Sequence, residues 1–244
     1  MKPEEELKEI FGHLNALMMV HEEIGLDPPP ISHEARKYLQ VGIPGRPDDS
    51  KGVADLNSLE ALRSFIGDCR RCKLHKGRTH LVFVEGSPQA SMVFVGEGPG
   101  REEDLVGKPF IGEAGKLLTK IIENGMRITR KSVYICNVVK CRPPNNRDPE
   151  KDEIKTCIPF LKQQLHIIKP KVICTLGRVA GQALLGESFR ITRERGNWHT
   201  FGDTPLMPTY HPAYLLRNPS AKRQVWEDVQ KMMTRLGLEV KKNG

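Results

Sequence analysis

The sequence predicts an α/β fold: a three-layer αβα domain on a central four-stranded, mostly parallel sheet, preceded by a helical N-terminal extension. Three observations carry this expectation. Short apolar runs of strand length recur along the chain as SMVFV, SVYICNVV and KVICTL. Each is followed by a stretch of helical periodicity, the alternation that produces a parallel sheet covered on both faces. Hydrophobic residues make up 38% of the 244 positions, enough to bury a core.

Residues 3–25 place Leu7, Ile10, Phe11, Leu14, Leu17, Met18 and Ile24 near helical spacing, which predicts an amphipathic helix. Such a face suits either packing on the domain or a protein partner. Pro28, Pro29 and Pro30 end it, and residues 41–56 read as linker. The expected division is therefore an extension over 1–56 and a domain over 57–244. Within the domain, Leu59–Ile66 reads as a helix, Ser91–Val95 as the first strand and Gly112–Asn124 as a helix. Ser132–Val139 is the second strand, with a helix following within 150–168. Lys171–Leu176 is the third strand, followed by a helix over 178–185. Leu206–Thr209 is a weaker fourth strand, and a helix runs from about Ala221 to Leu236.

This order predicts where a ligand binds, because open α/β sheets take ligands beyond the carboxyl ends of their strands. Those ends carry Gly96-Glu97-Gly98-Pro99-Gly100, then Asn137, then LGRVAG, then Thr209-Tyr210-His211-Pro212. Glycines, a carboxylate, an amide and an imidazole are thus expected at one edge. The glycines let backbone approach a ligand closely. A nucleotide loop is disfavoured, since neither GxxxxGK[ST] nor GxGxxG is present. Glu102, Glu103 and Asp104 form an acidic run, read as a solvated face with one carboxylate at the site edge. Phe110 lies in a loop between Pro109 and Gly112, where a ring either stacks on a base or joins the core. His211 suits donation of a hydrogen bond to charge developing on a leaving group. The segment Ala213 to Pro219, with Tyr214, Leu215, Leu216 and Arg217, is apolar and then basic. It reads as a wedge for a nucleic-acid duplex or as a helix-initiating turn with buried leucines.

Charge is unevenly placed. Residues 1–56 hold 6 Lys/Arg against 11 Asp/Glu, and the remaining residues hold 32 against 19. A basic domain points to a polyanion such as nucleic acid, although solubility alone also explains it. No apolar run reaches ~18 residues, so no membrane span is expected. The acidic start MKPEEELKEI lacks a signal-like apolar stretch, so a cytoplasmic chain with reduced thiols is expected. Of the six cysteines, Cys69, Cys72, Cys141 and Cys157 have metal-site spacing, which does not separate zinc from [4Fe–4S]. Cys136 and Cys174 fall inside strands and read as buried small hydrophobes.

Taken together, GEGPGREEDLVGKPFIGEAGKLL, YICNVVKCRPPNNRDP, TCIPFL, LGRVAGQALLG and PTYHPAYLLRNPSAKRQVWED resemble the family-4 uracil-DNA glycosylases. These form the iron–sulfur branch of their superfamily, and the likeness runs over roughly residues 64–233. The resemblance implies excision of uracil from single- or double-stranded DNA by a monomer, nucleoid-associated in a prokaryote. It implies that Glu97 orients or activates water beside the glycosidic bond and that Gly98 supplies backbone at the base pocket. Glu103 would border the pocket and help reject the thymine methyl, and Phe110 would stack on the base. Asn137 would read the base edge, and His211 would hydrogen-bond the departing base. Cys69, Cys72, Cys141 and Cys157 would hold a structural [4Fe–4S] cluster. A covalently trapping branch carries a Lys-Arg-Arg-Ile-His insert; here the loop reads RPPNNRDPEKDE, so turnover is expected.

Two other readings remain open on the sequence. One is a sister glycosylase preferring another deaminated base such as hypoxanthine. The other is a non-catalytic, metal-stapled DNA-binding module, which leaves Glu97, Asn137 and His211 without a reason.

Overall fold

The parallel strands form where the apolar runs predict them. The computed structural model describes residues 49–240. After helices α1 (Asp49–Ala54) and α2 (Leu59–Ile66), a two-residue strand β1 (Glu85–Gly86) precedes β2 (Met92–Gly96). Helices α3 (Arg101–Val106) and α4 (Glu113–Lys120) lead through a π turn to β3 (Tyr134–Asn137). Helix α5 (Lys151–Ile168), β4 (Val172–Leu176), α6 (Arg178–Leu185) and α7 (Ile191–Glu194) follow. The hairpin β5 (His199–Phe201) and β6 (Thr204–Thr209) then leads to α8 (Pro212–Arg217) and α9 (Lys222–Leu236).

The sheet order is β1-β3-β2-β4-β6-β5. The inner four strands are parallel, and the two edge strands pair antiparallel. The sheet therefore has six strands rather than four. The additions, EG and HTF, are too short and too polar to stand out as apolar runs. Strand side chains alternate faces with a period of two. Val93, Val95, Tyr134 and Ile173 pack with Leu62, Phe160 and Leu161 on one side. Met92, Phe94, Ile135 and Cys174 pack with Leu118, Val225 and Met232 on the other. Cys136 and Cys174 are buried, as expected of small apolar residues.

β2 is the switch point: β3 lies on one side of it and β4 on the other. The register Gly96↔Asn137 and Leu176↔Thr209 brings the carboxyl ends of the inner strands level at one edge. The anticipated ligand crevice thus has its scaffold.

The amphipathic helix expected over 3–25 and most of the linker lie outside the described residues. The last part of the linker, however, is helix α1, with Val53 buried at 3% exposure. Gln163 Nε2 donates to Leu56 O at 2.7 Å and further ties this segment down. Among the described residues no helix is long and apolar enough to cross a membrane.

Removing residues 1–46 is expected to leave activity within several-fold of the full chain, since no candidate site residue lies there. Removal through Leu56 also strips Val53 from the core, at a cost of at least about 1.5 kcal/mol. Thermal melting of the two truncated chains checks this. Equal stability would show that α1 contributes nothing.

Candidate active site

A cleft of about 460 Å3 opens at the strand-end edge. Glu97, Gly98, Glu103, Phe110, Asn137, His211, Tyr214 and Arg217 all border it. Pro143, Asn146 and Arg147 border it as well. These three belong to the RPPNNR loop, where basic and polar residues gave no separate signal of a cleft wall. Arg147 is fixed by a bidentate pair with buried Glu153 at 2.8 and 2.7 Å.

Asn137 ends β3 with 2% exposure. Its Oδ1 is buried and has no hydrogen-bond partner. The reason for its close seating is Gly96, its neighbour in register. A Cβ placed on Gly96 would lie 2.4 Å from Asn137 Oδ1 and 2.5 Å from Phe110 Cζ. Phe110 itself is 6% exposed with φ of 53°, a left-handed conformation unusual for an aromatic residue. Its ring sits 5.5 Å from that of His211, tilted by 33°.

His211 caps α8, and its Nδ1 accepts from Ala213 N at 3.1 Å. That bond assigns the lone pair to Nδ1, so a neutral ring carries its proton on Nε2. Burial and then the Arg217 charge push the imidazole down to about 4, with Glu103 pulling weakly the other way. The ring is therefore a neutral donor at physiological pH. Glu97 shows the opposite effect. Burial, reinforced by the charge of Asp148 and a hydrogen bond to it, pushes its carboxyl up to about 7, while Arg178 pulls it down. Asp148 is in turn paired with Arg178. Arg178 lies in the strand-end segment LGRVAG, but neither its pairing with Asp148 nor Asp148 itself was legible, since the two lie thirty residues apart in the chain.

Glu103 keeps its expected place at the cleft edge, whereas Leu215 does not keep its expected role. Glu103 borders the cleft, but its carboxylate is engaged by backbone: Gly100 N at 3.1 Å, Ile111 N at 3.0 Å and Gly112 N at 2.9 Å. It braces the glycine loop against the Phe110 loop. Leu215 is 1% exposed and belongs to the core, so it cannot enter a duplex. Helical spacing turns it inward, while Tyr214, Leu216 and Arg217 remain exposed. In the acidic run, Asp104 is buried and accepts from Thr79 N at 2.9 Å, so that run is only partly a solvated face.

Cys69, Cys72, Cys141 and Cys157 border one apolar pocket behind the cleft. Cations crowd their sulfurs: Arg78 donates to Cys141 Sγ at 3.1 Å and Arg71 to Cys69 Sγ at 3.5 Å. Among the described residues no group of three or more His, Cys, Asp or Glu is arranged to hold a metal ion. Between this pocket and the cleft lies buried Lys140. Its Nζ donates to Asn137 O and to Gln164 Oε1, both at 2.6 Å.

The uracil DNA glycosylase superfamily model matches residues 83–230. A type-4 uracil-DNA glycosylase of Sulfurisphaera tokodaii is 46% identical over 185 residues, covering 72% of this chain and 84% of that protein. One from Thermotoga maritima is 48% identical over 180 residues, covering 71% and 92%. A type-5 uracil-DNA glycosylase of Thermus thermophilus is 28% identical over 145 residues, covering 52% and 66%. The chain belongs to the type-4 uracil-DNA glycosylases within that superfamily.

Carbon-detected NMR titration of Glu97 should give a midpoint near 7. Asp148→Asn should move it to lower pH, because it removes a like charge and frees Arg178. An unchanged midpoint would remove Asp148 from the surroundings of that carboxyl.

Proposed function

We infer that this chain is a uracil-DNA glycosylase of base excision repair. It takes uracil extruded from DNA into the cleft and hydrolyses the bond between base and deoxyribose, leaving an abasic site. One observation carries this reading: Asn137 Oδ1, a buried acceptor without a partner on the cleft wall. An unpaired buried acceptor costs roughly 1–3 kcal/mol, and an imide N–H such as that of uracil removes the cost. The same carboxamide has an N–H to offer the neighbouring carbonyl oxygen.

Breaking the glycosidic bond develops negative charge on the base and positive charge on the sugar. His211, neutral with its proton on Nε2, is suited to hydrogen-bond the departing base anion. A neutral donor avoids burying a charge in the resting cleft. Glu97 suits the sugar side, where its carboxylate stabilises the cation and orients water. Only the ionised form does this, so base release is expected to rise with pH through about 7 and to level off above it. Phe110 suits stacking on the base, which every base offers through its π face. Tyr214 and Leu216, exposed beside Arg217, suit entry into the duplex as the base leaves it.

The four cysteines suit a [4Fe–4S] cluster, in which each thiolate binds a separate iron, so they need not converge on one ion. They border one pocket, and Arg71, Arg78 and Lys140 around it suit thiolates, which a cluster requires. Glycoside hydrolysis transfers no electron, so the cluster's role is to tie the loop after α2, the loop after β3 and helix α5 together. Natively produced protein should contain about four irons per chain. Cys136→Ser should keep them, and Cys141→Ser should lose them. Zinc without sulfide would overturn the assignment.

Asn137→Ala should leave both base groups unpaired. Base release should then fall by about a hundredfold or more, at 1.4 kcal/mol per factor of ten. Asn137→Asp should be at least as damaging, because its carboxylate repels the uracil carbonyl. Single-turnover release measured beside thermal melting is the test. A lowered melting temperature with near-normal release would make Asn137 a structural residue.

A further inference from the structure

Phe110 is held in a conformation it would not choose. A positive φ in a bulky residue persists only where its surroundings over-determine it. On one side of the loop, Glu103 accepts from Ile111 N and Gly112 N. On the other side stands Arg130, from the short turn before β3. Its Nη2 donates to Pro109 O and Phe110 O, both at 2.9 Å, and to Glu85 Oε2 at 2.7 Å. Its Nη1 donates to Thr119 Oγ1 at 2.9 Å. The arginine side chain is 12% exposed. Helix α4 presses in from below, where a Cβ on Gly115 would lie 1.9 Å from Phe110 O. The loop backbone is thus gripped between a carboxylate on its N–H groups and a guanidinium on its carbonyls.

We propose that Arg130, oriented by Glu85, is the positioning residue that sets the Phe110 ring against the base. Arg130 and Glu85 are absent from the cleft lining, so they act through the loop and not on the substrate. The guanidinium fork is what the task requires, since Nη2 faces Pro109 O, Phe110 O and Glu85 Oε2 while Nη1 reaches Thr119 Oγ1 on helix α4, whereas an ammonium is a single point charge. This also gives the two-residue strand β1 a purpose. Its pairing of Glu85 with Ile135 fixes the carboxylate that aims the guanidinium. The proposal rests on reading Phe110 as the base-stacking residue.

The test is a double-mutant cycle of Arg130→Met and Phe110→Ala, read by single-turnover release, KM for uracil-containing DNA, inhibition by free uracil, and melting temperature. Arg130→Met should lower kcat about tenfold while KM, set by phosphate contacts, stays within about twofold. The inhibition constant for free uracil should rise in parallel, because that readout senses the pocket without DNA. In the Phe110→Ala background, Arg130→Met should cost nothing further, since coupled residues are non-additive. If Arg130→Met fails to fold, Arg130→Lys takes its place. Lysine keeps the charge but not the fork, so free-uracil inhibition should weaken with little change in melting. An equal loss in both backgrounds would overturn the proposal, as would a lowered melting temperature with unchanged kcat and inhibition. Phe110→Ala with normal release would instead overturn the stacking reading itself.

Discussion

The close approach of β2 to β3 and to the Phe110 loop at Gly96 is the constraint on which the site depends. With no side chain there, the Asn137 amide and the Phe110 ring both come within 2.6 Å of where a methyl group would sit. Beyond the strand ends, Val138 N donates to Gly96 O at 2.9 Å and Val139 N to Glu97 O at 3.1 Å. The glycine loop is thereby locked to the strand that carries the amide. The amide proposed to read the base edge and the ring proposed to stack on it come together only because the backbone leaves them room.

Around that point the cleft separates two electrostatic tasks by environment. His211 is desolvated and faces a cation, so it stays neutral; Glu97 is desolvated and faces a carboxylate, so it titrates near neutrality. In the proposed reaction, each meets one of the two charges that bond cleavage creates. Behind the cleft, Lys140 spans the Asn137 end of β3 and the cysteine pocket, with Gln164 passing the contact on to the Tyr134 hydroxyl at 2.9 Å. Lys140, which lines the cysteine pocket, thus also holds the end of β3 that carries Asn137.

The parallel core and its strand-end site were legible because buried strands are continuous apolar runs and the site residues follow them directly. Glu97, Asn137 and His211 all lie within two residues of a strand end. Features that depend on distant partners were not legible. Asp104 looks solvated until Thr79 is seen to donate to it, and Glu103, at the cleft edge as expected, is seen only in the fold to brace two loops through three backbone donors. Leu215 reads as wedge material by composition, yet one helical turn puts it in the core. Arg130 sits in RITRKS, an ordinary basic loop in sequence, and its role depends on Glu85 forty-five residues earlier.

The most direct test of the central claim is base release from a panel of duplexes, each carrying one uracil, hypoxanthine, thymine or cytosine, with alkaline cleavage of abasic sites as the readout. Release from the uracil duplex, little from hypoxanthine and none from thymine or cytosine is the predicted result. Binding to all four duplexes with no base released, or faster release of hypoxanthine than of uracil, would contradict the account.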